Sequence, residues 1–184
     1  MPPARAGILL SELCHVVEAL RSLRGRVVTK AWVPRPHLTL LEVGGVVLRI
    51  EAAPVPRVHP TAARPPSPPK PLSFQGLLRA RLVGRPFELA MPFEDRVIEV
   101  RTPEGALHAR LFGAGGGVWW VEGDRVVAAS HGPSGPLPPL LDRGVTDAAP
   151  RFAPEGDETW PDAARRWFEA STAAGESVDR LAAA

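Results

Sequence analysis

The chain has 184 residues, 45% of them apolar, and a formal charge of +2, which suffices for one ordinary domain to bury a core without staples, plus a short appendage. Its single cysteine, Cys14, excludes an internal disulfide, and no Cys/His cluster has the spacing of a structural zinc site. Neither a secretory signal nor an apolar run of about 18 residues is present, so a cytoplasmic location is expected.

Residues 1–150 carry 18 Lys/Arg and 13 Asp/Glu, whereas residues 151–184 carry 4 and 7. The body is therefore basic and the tail acidic. In chain order, apolar residues recur at helical spacing from Ile8 to Leu23, including Leu13, Val16, Val17 and Leu20, and Gly25 is placed to stop that helix. Stretches 26–33, 37–43 and 46–51 read as three strands, with Gly44-Gly45 forming a tight hairpin between the second and third. Eight prolines between Ala52 and Pro71 leave few backbone donors, so this segment is expected to be a connector crossing the surface, not a strand. A short helix fits Ser73 to Val83, with Ser73 as its cap and Gly84 at its end.

Strand-like pieces follow at 86–91, 95–102, 106–112, 117–122 and 125–129, with hairpin signals at Pro103-Glu104-Gly105 and Gly123-Asp124. About eight strands and two helices predict an α+β fold, an antiparallel sandwich or half-barrel with the helices over ends or edges. From Gly132 onward prolines and small or acidic residues indicate a linker, then helical spacing resumes at Pro161 to Ala174. That helix is too short to be stable unless it docks. The expected division is a domain over 1–140 and an appendage over 141–184.

No Walker loop, HExxH, nucleophile elbow or dinucleotide fingerprint occurs, so no enzyme, metal or cofactor is expected. The cluster Gly113 to Gly117 is read as a flexible hairpin loop. The five histidines are read as surface or packing residues. Of the adjacent Trp119 and Trp120, one faces the core and one outward; packing of the outward ring beneath the C-terminal helix is favoured over base stacking. Six basic residues, Arg57, Arg64, Lys70, Arg79, Arg81 and Arg85, lie between Glu51 and Glu88 with no acid among them, a stretch suited to phosphates or to a solvated face. Asp95-Arg96 opens an apolar strand, either as a local ion pair or as a guanidinium oriented by a carboxylate for planar recognition.

Three passages carry a family likeness. Leu23-Arg24-Gly25-Arg26-Val27-Val28-Thr29-Lys30-Ala31-Trp32-Val33-Pro34 is similar to a passage near the start of NFACT proteins, the ribosome quality-control factors formerly named fibronectin-binding proteins. The prolines after His59-Pro60, followed by Phe74-Gln75-Gly76-Leu77-Leu78-Arg79-Ala80-Arg81-Leu82-Val83-Gly84, resemble that family's proline-rich segment and helix. Phe93-Glu94-Asp95-Arg96-Val97-Ile98-Glu99-Val100 falls where the family carries a strand opened by an Asp-Arg pair.

The resemblance covers about residues 8–140 and implies a fold like the N-terminal domain of formamidopyrimidine-DNA glycosylases, whose catalytic Pro-Glu is here Pro2-Pro3, so no glycosylase activity is inferred. It implies engagement of tRNA or ribosomal RNA on the large ribosomal subunit, in rescue of stalled ribosomes, with Arg96 contacting RNA and Asp95 orienting it. Arg64, Lys70, Arg79 and Arg81 complete the expected RNA-binding set. The loop Phe112 to Gly117 lacks the arginine and asparagine of relatives, which points to the alternative of a protein-interaction scaffold. The coiled coil and second domain of full-length relatives are expected on a separate chain, or to be absent from a truncated one.

Overall fold

The computed structural model describes residues 7–142 and 148–170. The first apolar stripe forms helix α1 (Leu10–Leu20) and a following 3-10 turn (Arg21–Leu23). Gly25, at φ +80°, then turns the chain. Strands β1 (Val28–Arg35), β2 (Leu38–Val43), β3 (Val46–Glu51) and β4 (Arg57–Pro60) make one antiparallel sheet in that order. Gly44 and Gly45 close the β2–β3 hairpin at φ +56° and +81°, backbone that glycine adopts without a steric penalty.

Strand β4 corrects the expectation that 52–71 holds no strand. Prolines 54 and 56 precede it, and Arg57, Val58 and His59 keep the amides that a ladder uses. Pro60 is tolerated because β4 is an edge strand. Only the remainder, up to Pro71, is a surface strap. Helix α2 (Ser73–Leu82) follows, but its N-cap is Leu72, with no side-chain bond, and not Ser73.

The second sheet contains β5 (Leu89–Ala90), β6 (Val97–Arg101), β7 (Ala106–Arg110), β8 (Gly117–Glu122), β9 (Arg125–Ala129) and β10 (Gly135–Pro136), each antiparallel to its sequence neighbour. The expected strand at 86–91 is shorter because the segment serves both sheets. Phe87 donates its amide to Arg26, while Leu89 and Ala90 pair with β6. The fold is thus α+β with two antiparallel sheets, as expected.

Alternation along the strands sends Leu41, Leu48 and Ile50 from one sheet, and Ile98, Leu107 and Trp120 from the other, into a single core with the apolar faces of both helices. Helix α2 covers the free edge of β1. Gln75 and Arg79, one turn apart, complete two of its backbone groups: Val33 N–H donates to Gln75 Oε1 at 2.8 Å, and Arg79 Nε donates to the Ala31 carbonyl at 3.3 Å. An edge so occupied cannot recruit another strand there.

Residues 160–170 are helical; 171–174 of the expected helix, and Pro2-Pro3, lie outside the described residues. This C-terminal helix docks through Ala163, Ala164 and Phe168, joined in the core by Phe152. His15 of α1 stacks on Trp160 at 4.1 Å, and His59 of β4 on Phe168 at 5.9 Å. Just upstream, Glu12 is fully buried on α1. Its carboxylate accepts the Leu9 amide at 2.9 Å and the Arg151 amide, Nε and guanidinium at 2.8–2.9 Å. Burial pushes the Glu12 carboxyl up, but these donors outweigh it and hold it below its ordinary range.

Two outcomes follow from this docking. Replacing Arg151 by alanine leaves a carboxylate with no solvent contact and without its counter-charge, and urea unfolding should register a loss of about 3–5 kcal/mol. A loss under about 1 kcal/mol would mean that water reaches Glu12. His59 is buried beside two guanidiniums and sits at about 4, well below the ordinary 6.5. The unfolded chain therefore takes up a proton that the folded one refuses, so this contribution is complete above pH 6.5 and is lost as the pH falls toward 4. The full loss amounts to about 3 kcal/mol. His37, also lowered, acts with the same sign. Melting temperature measured across that window should fall steeply for the native chain and less for His59→Gln; equal slopes would assign the effect elsewhere.

Candidate nucleic-acid interface

Strand register places a set of polar side chains on the outer face of the first sheet. Trp32, Leu40, Arg49 and His59 lie in one row across β1 to β4, with Arg35, Leu38, Glu51 and Arg57 in the next. Lys30 and Glu42 continue the face on the other side. Glu51 is 1% exposed and accepts three guanidiniums: Arg49 and Arg57 at 2.8 Å each on one oxygen, and Arg35 on the other. Burial pushes its carboxyl up, and the combined pull of Arg57, Arg49 and Arg35 more than reverses this, leaving it below the ordinary range. His59 Nδ1 lies 2.7 Å from the Pro60 carbonyl, so Nδ1 carries the proton, and Nε2 has no partner among the described residues. Burial, then repulsion from Arg57 and Arg49, keeps this imidazole neutral.

The strap adds Arg64, whose guanidinium lies 4.6 Å from the centre of the Trp32 ring and reaches Glu42 at 3.5 Å. Lys30 is 5.9 Å from the same ring and 3.8 Å from Glu42. On this side, among the described residues, Lys30 and Arg64 pair with Glu42, and Arg35, Arg49 and Arg57 with Glu51, with Glu169 at the margin near Thr61.

The residues expected from the sequence do not form one group. Arg64 lies over Trp32 on the face of β1, and Arg79 along the edge of that strand. Arg81 pairs with Glu104 and Glu122 at 3.1 and 3.3 Å, and Arg85 with Glu104 at 3.2 Å, so acids remote in sequence neutralise that end of the basic stretch. Lys70 is exposed on the strap. Asp95 and Arg96 stand at the far end of β6 from Glu104, about 16 Å away by strand rise. Asp95, 8% exposed, accepts the backbone amide of Arg96 at 2.7 Å. The Arg96 guanidinium reaches the Ile8 carbonyl at 3.4 Å and lies 5.8 Å from the Phe112 ring centre. Phe93, 47% exposed, sits just upstream.

Trp120 points into the core and Trp119 outward, but Trp119 does not lie beneath the C-terminal helix, which packs on α1 and β4. Its ring instead meets His108 and the Arg110 guanidinium, 5.9 and 5.3 Å from its centre. Gly117 makes room for it, since a Cβ there would come within 2.6 Å of the indole. Arg110 is held in turn by the Pro138 carbonyl at 2.6 Å, so the segment after β10 covers the place expected for the C-terminal helix.

Sequence reasoning missed Lys30, Trp32, Arg35, Arg49 and Glu51 as one group. The signal was the alternation of 46–51, where Arg49 and Glu51 share one face and Leu48 and Ile50 the other, continued by Arg57 and His59 around Val58. Among the described residues, no group of three His, Cys, Asp or Glu is placed to hold a metal ion, and no helix is long and apolar enough to cross a membrane.

No family model matches this chain, and no curated protein matches it. Solved structures do. The N-terminal part of the fibronectin/fibrinogen-binding protein of Streptococcus suis is 21% identical with a TM-score of 0.59, over 66% of this chain and 52% of its own. The N-terminal domain of the fibronectin-binding protein PavA of Streptococcus pneumoniae is 21% identical with a TM-score of 0.59, over 85% of this chain and 66% of its own. The fibrinogen-binding protein of Staphylococcus aureus is 17% identical with a TM-score of 0.57, over 72% and 56%. This chain thus spans about half to two thirds of the length of those solved chains. At such identities the likeness establishes the fold: the chain folds as the N-terminal domains of fibronectin/fibrinogen-binding proteins do, the same group that its sequence motifs resemble.

Proposed function

We propose that this chain is a noncatalytic RNA-binding module that engages tRNA or ribosomal RNA on the large ribosomal subunit, in the cytoplasm, in rescue of stalled ribosomes. The observation that carries this reading is the charge of the outer face of the first sheet and its strap. Lys30, Arg35 and Arg64 are exposed there, Arg49 and Arg57 lie buried against Glu51, and the five cations outnumber Glu42 and Glu51 around an indole. Such a face attracts polyanions at long range and offers a ring to bases at short range. Arg96, with Asp95 fixing its backbone, supplies a second contact at the far end of β6. A separate chain carrying a coiled coil and a second domain is the partner that would complete ribosome attachment.

A second reading, a protein-interaction scaffold, is favoured by one specific observation: Arg81 and Arg85 are already neutralised by Glu104 and Glu122, which removes two of the six residues of the basic stretch from phosphate contact. The structural neighbours are themselves named for binding fibronectin or fibrinogen.

Titration with tRNA separates the two. RNA binding predicts an affinity that falls about tenfold or more between about 50 and 200 mM salt, the counterion release of two or more phosphates; undetectable or salt-independent binding leaves the scaffold reading. On the same samples, Arg96→Lys should weaken tRNA binding clearly with little change in melting temperature, because the charge stays while the planar fork is lost. A melting defect with intact affinity would make Arg96 a purely structural residue tied to Ile8.

A further inference from the structure

We propose that Trp32 is a stacking platform for one unpaired RNA base, and that Arg64 lies over it as a displaceable cover. This inference rests on the RNA-binding reading above. Trp32 is half-buried on the outer face of β1, opposite Leu40. An indole placed there for packing alone is expected under apolar side chains, yet what lies 4.6 Å from its ring centre is a guanidinium whose side chain is 52% exposed. That guanidinium is otherwise held by a long 3.5 Å contact to Glu42.

The strap that delivers Arg64 is itself lightly attached. Thr61 ties its start to the sheet, its amide donating to the Val47 carbonyl at 2.8 Å, but beyond Arg64 prolines 65, 66, 68 and 69 have no amide proton to give the sheet. The competition favours the base. An exposed cation–π contact is worth about two- to fivefold in an equilibrium, whereas stacking of a base on an aromatic ring is worth about 5- to 150-fold. The displaced guanidinium is not wasted, because a phosphate of the same strand replaces the ring as its partner. Lys30, 57% exposed and 5.9 Å from the ring centre, offers a second phosphate contact. A ring lying on a sheet face takes only a base freed from its helix, so the ligand is a loop or end nucleotide and its identity matters little.

The test uses a labelled twelve-nucleotide oligouridylate and an abasic ribose-phosphate strand of the same length, both at low salt. Trp32→Ala should weaken oligouridylate binding about 5- to 150-fold and leave the abasic strand unchanged, while Trp32→Phe, which keeps a ring, should stay within about fivefold of the native chain. Light-induced crosslinking of 5-iodouridine-substituted strand to the unaltered protein should place the adduct on Trp32. Equal affinity of native and Trp32→Ala protein, or equal loss for both strands, together with an adduct elsewhere, would overturn the platform while leaving RNA binding intact. Native protein that binds neither strand nor tRNA would overturn both.

Discussion

A carboxylate with no access to water must find donors inside the protein, and Glu12 sets that requirement at the start of the chain. It lies one turn before Val16 on the buried side of α1, where an apolar residue would be expected. Leu9 answers from the same helix end, but among the described residues the charge is met by Arg151, far along the chain. Arg151 also donates to the Gly7 carbonyl at 2.7 Å and lies 5.8 Å from the Trp167 ring centre. One buried charge therefore joins the N-terminal helix, the segment leading to the C-terminal helix, and the aromatic group around Phe152. The entropy of ordering that segment is offset by the apolar area of Phe152, Ala163, Ala164 and Phe168, which the ion pair positions but does not itself replace.

Docking the C-terminal helix has a second effect, on the opposite side of β4. Phe168 stacks on His59 and lies 5.9 Å from the Arg57 guanidinium. It shields both from solvent, which is why a sheet face built of arginine, glutamate and histidine is buried at this end and open at the other. Where it is closed, Glu51 compensates three guanidiniums and the group is rigid. Where it is open, Lys30 and Arg64 keep looser contacts with Trp32 and Glu42, and exchange of partners there costs little. The same face thus contains a buried half held by Glu51 and an exposed half.

The outer edge of β1 connects these two regions. A free edge strand beside a basic face would pair with any extended chain, and α2 prevents this at Val33 and Ala31 through Gln75 and Arg79. Arg79 is consequently committed in part to the protein's own backbone. Its neighbour on the helix, Arg81, turns instead to the β6–β7 turn and β8, where two glutamates compensate it. Arg85 joins Arg81 at Glu104, so arginines close in sequence, Arg79 on one hand and Arg81 and Arg85 on the other, end in different electrostatic surroundings that only their positions in space distinguish.

Periodicity alone determined the two helices, the glycine hairpins and most strands, because the spacing of Leu13, Val16 and Leu20, and the alternation of Leu48 and Ile50 with Arg49 and Glu51, are local properties that burial of one face imposes. It also determined that one of Trp119 and Trp120 faces inward. The short strand Arg57–Pro60 was obscured by its flanking prolines, since composition counts missing donors and cannot show that the remaining amides have a partner at β3. Which cations stay available was equally beyond reach. Glu51 gathers Arg35, Arg49 and Arg57 through strand pairing within the first sheet, while Glu104 and Glu122 neutralise Arg81 and Arg151 finds Glu12 through separations that only the packing of helices against the sheets and the docked C-terminal segment brings within hydrogen-bond distance. Charge along a sequence adds without regard to distance, whereas the interaction falls with separation and grows with burial, and tertiary structure alone sets both.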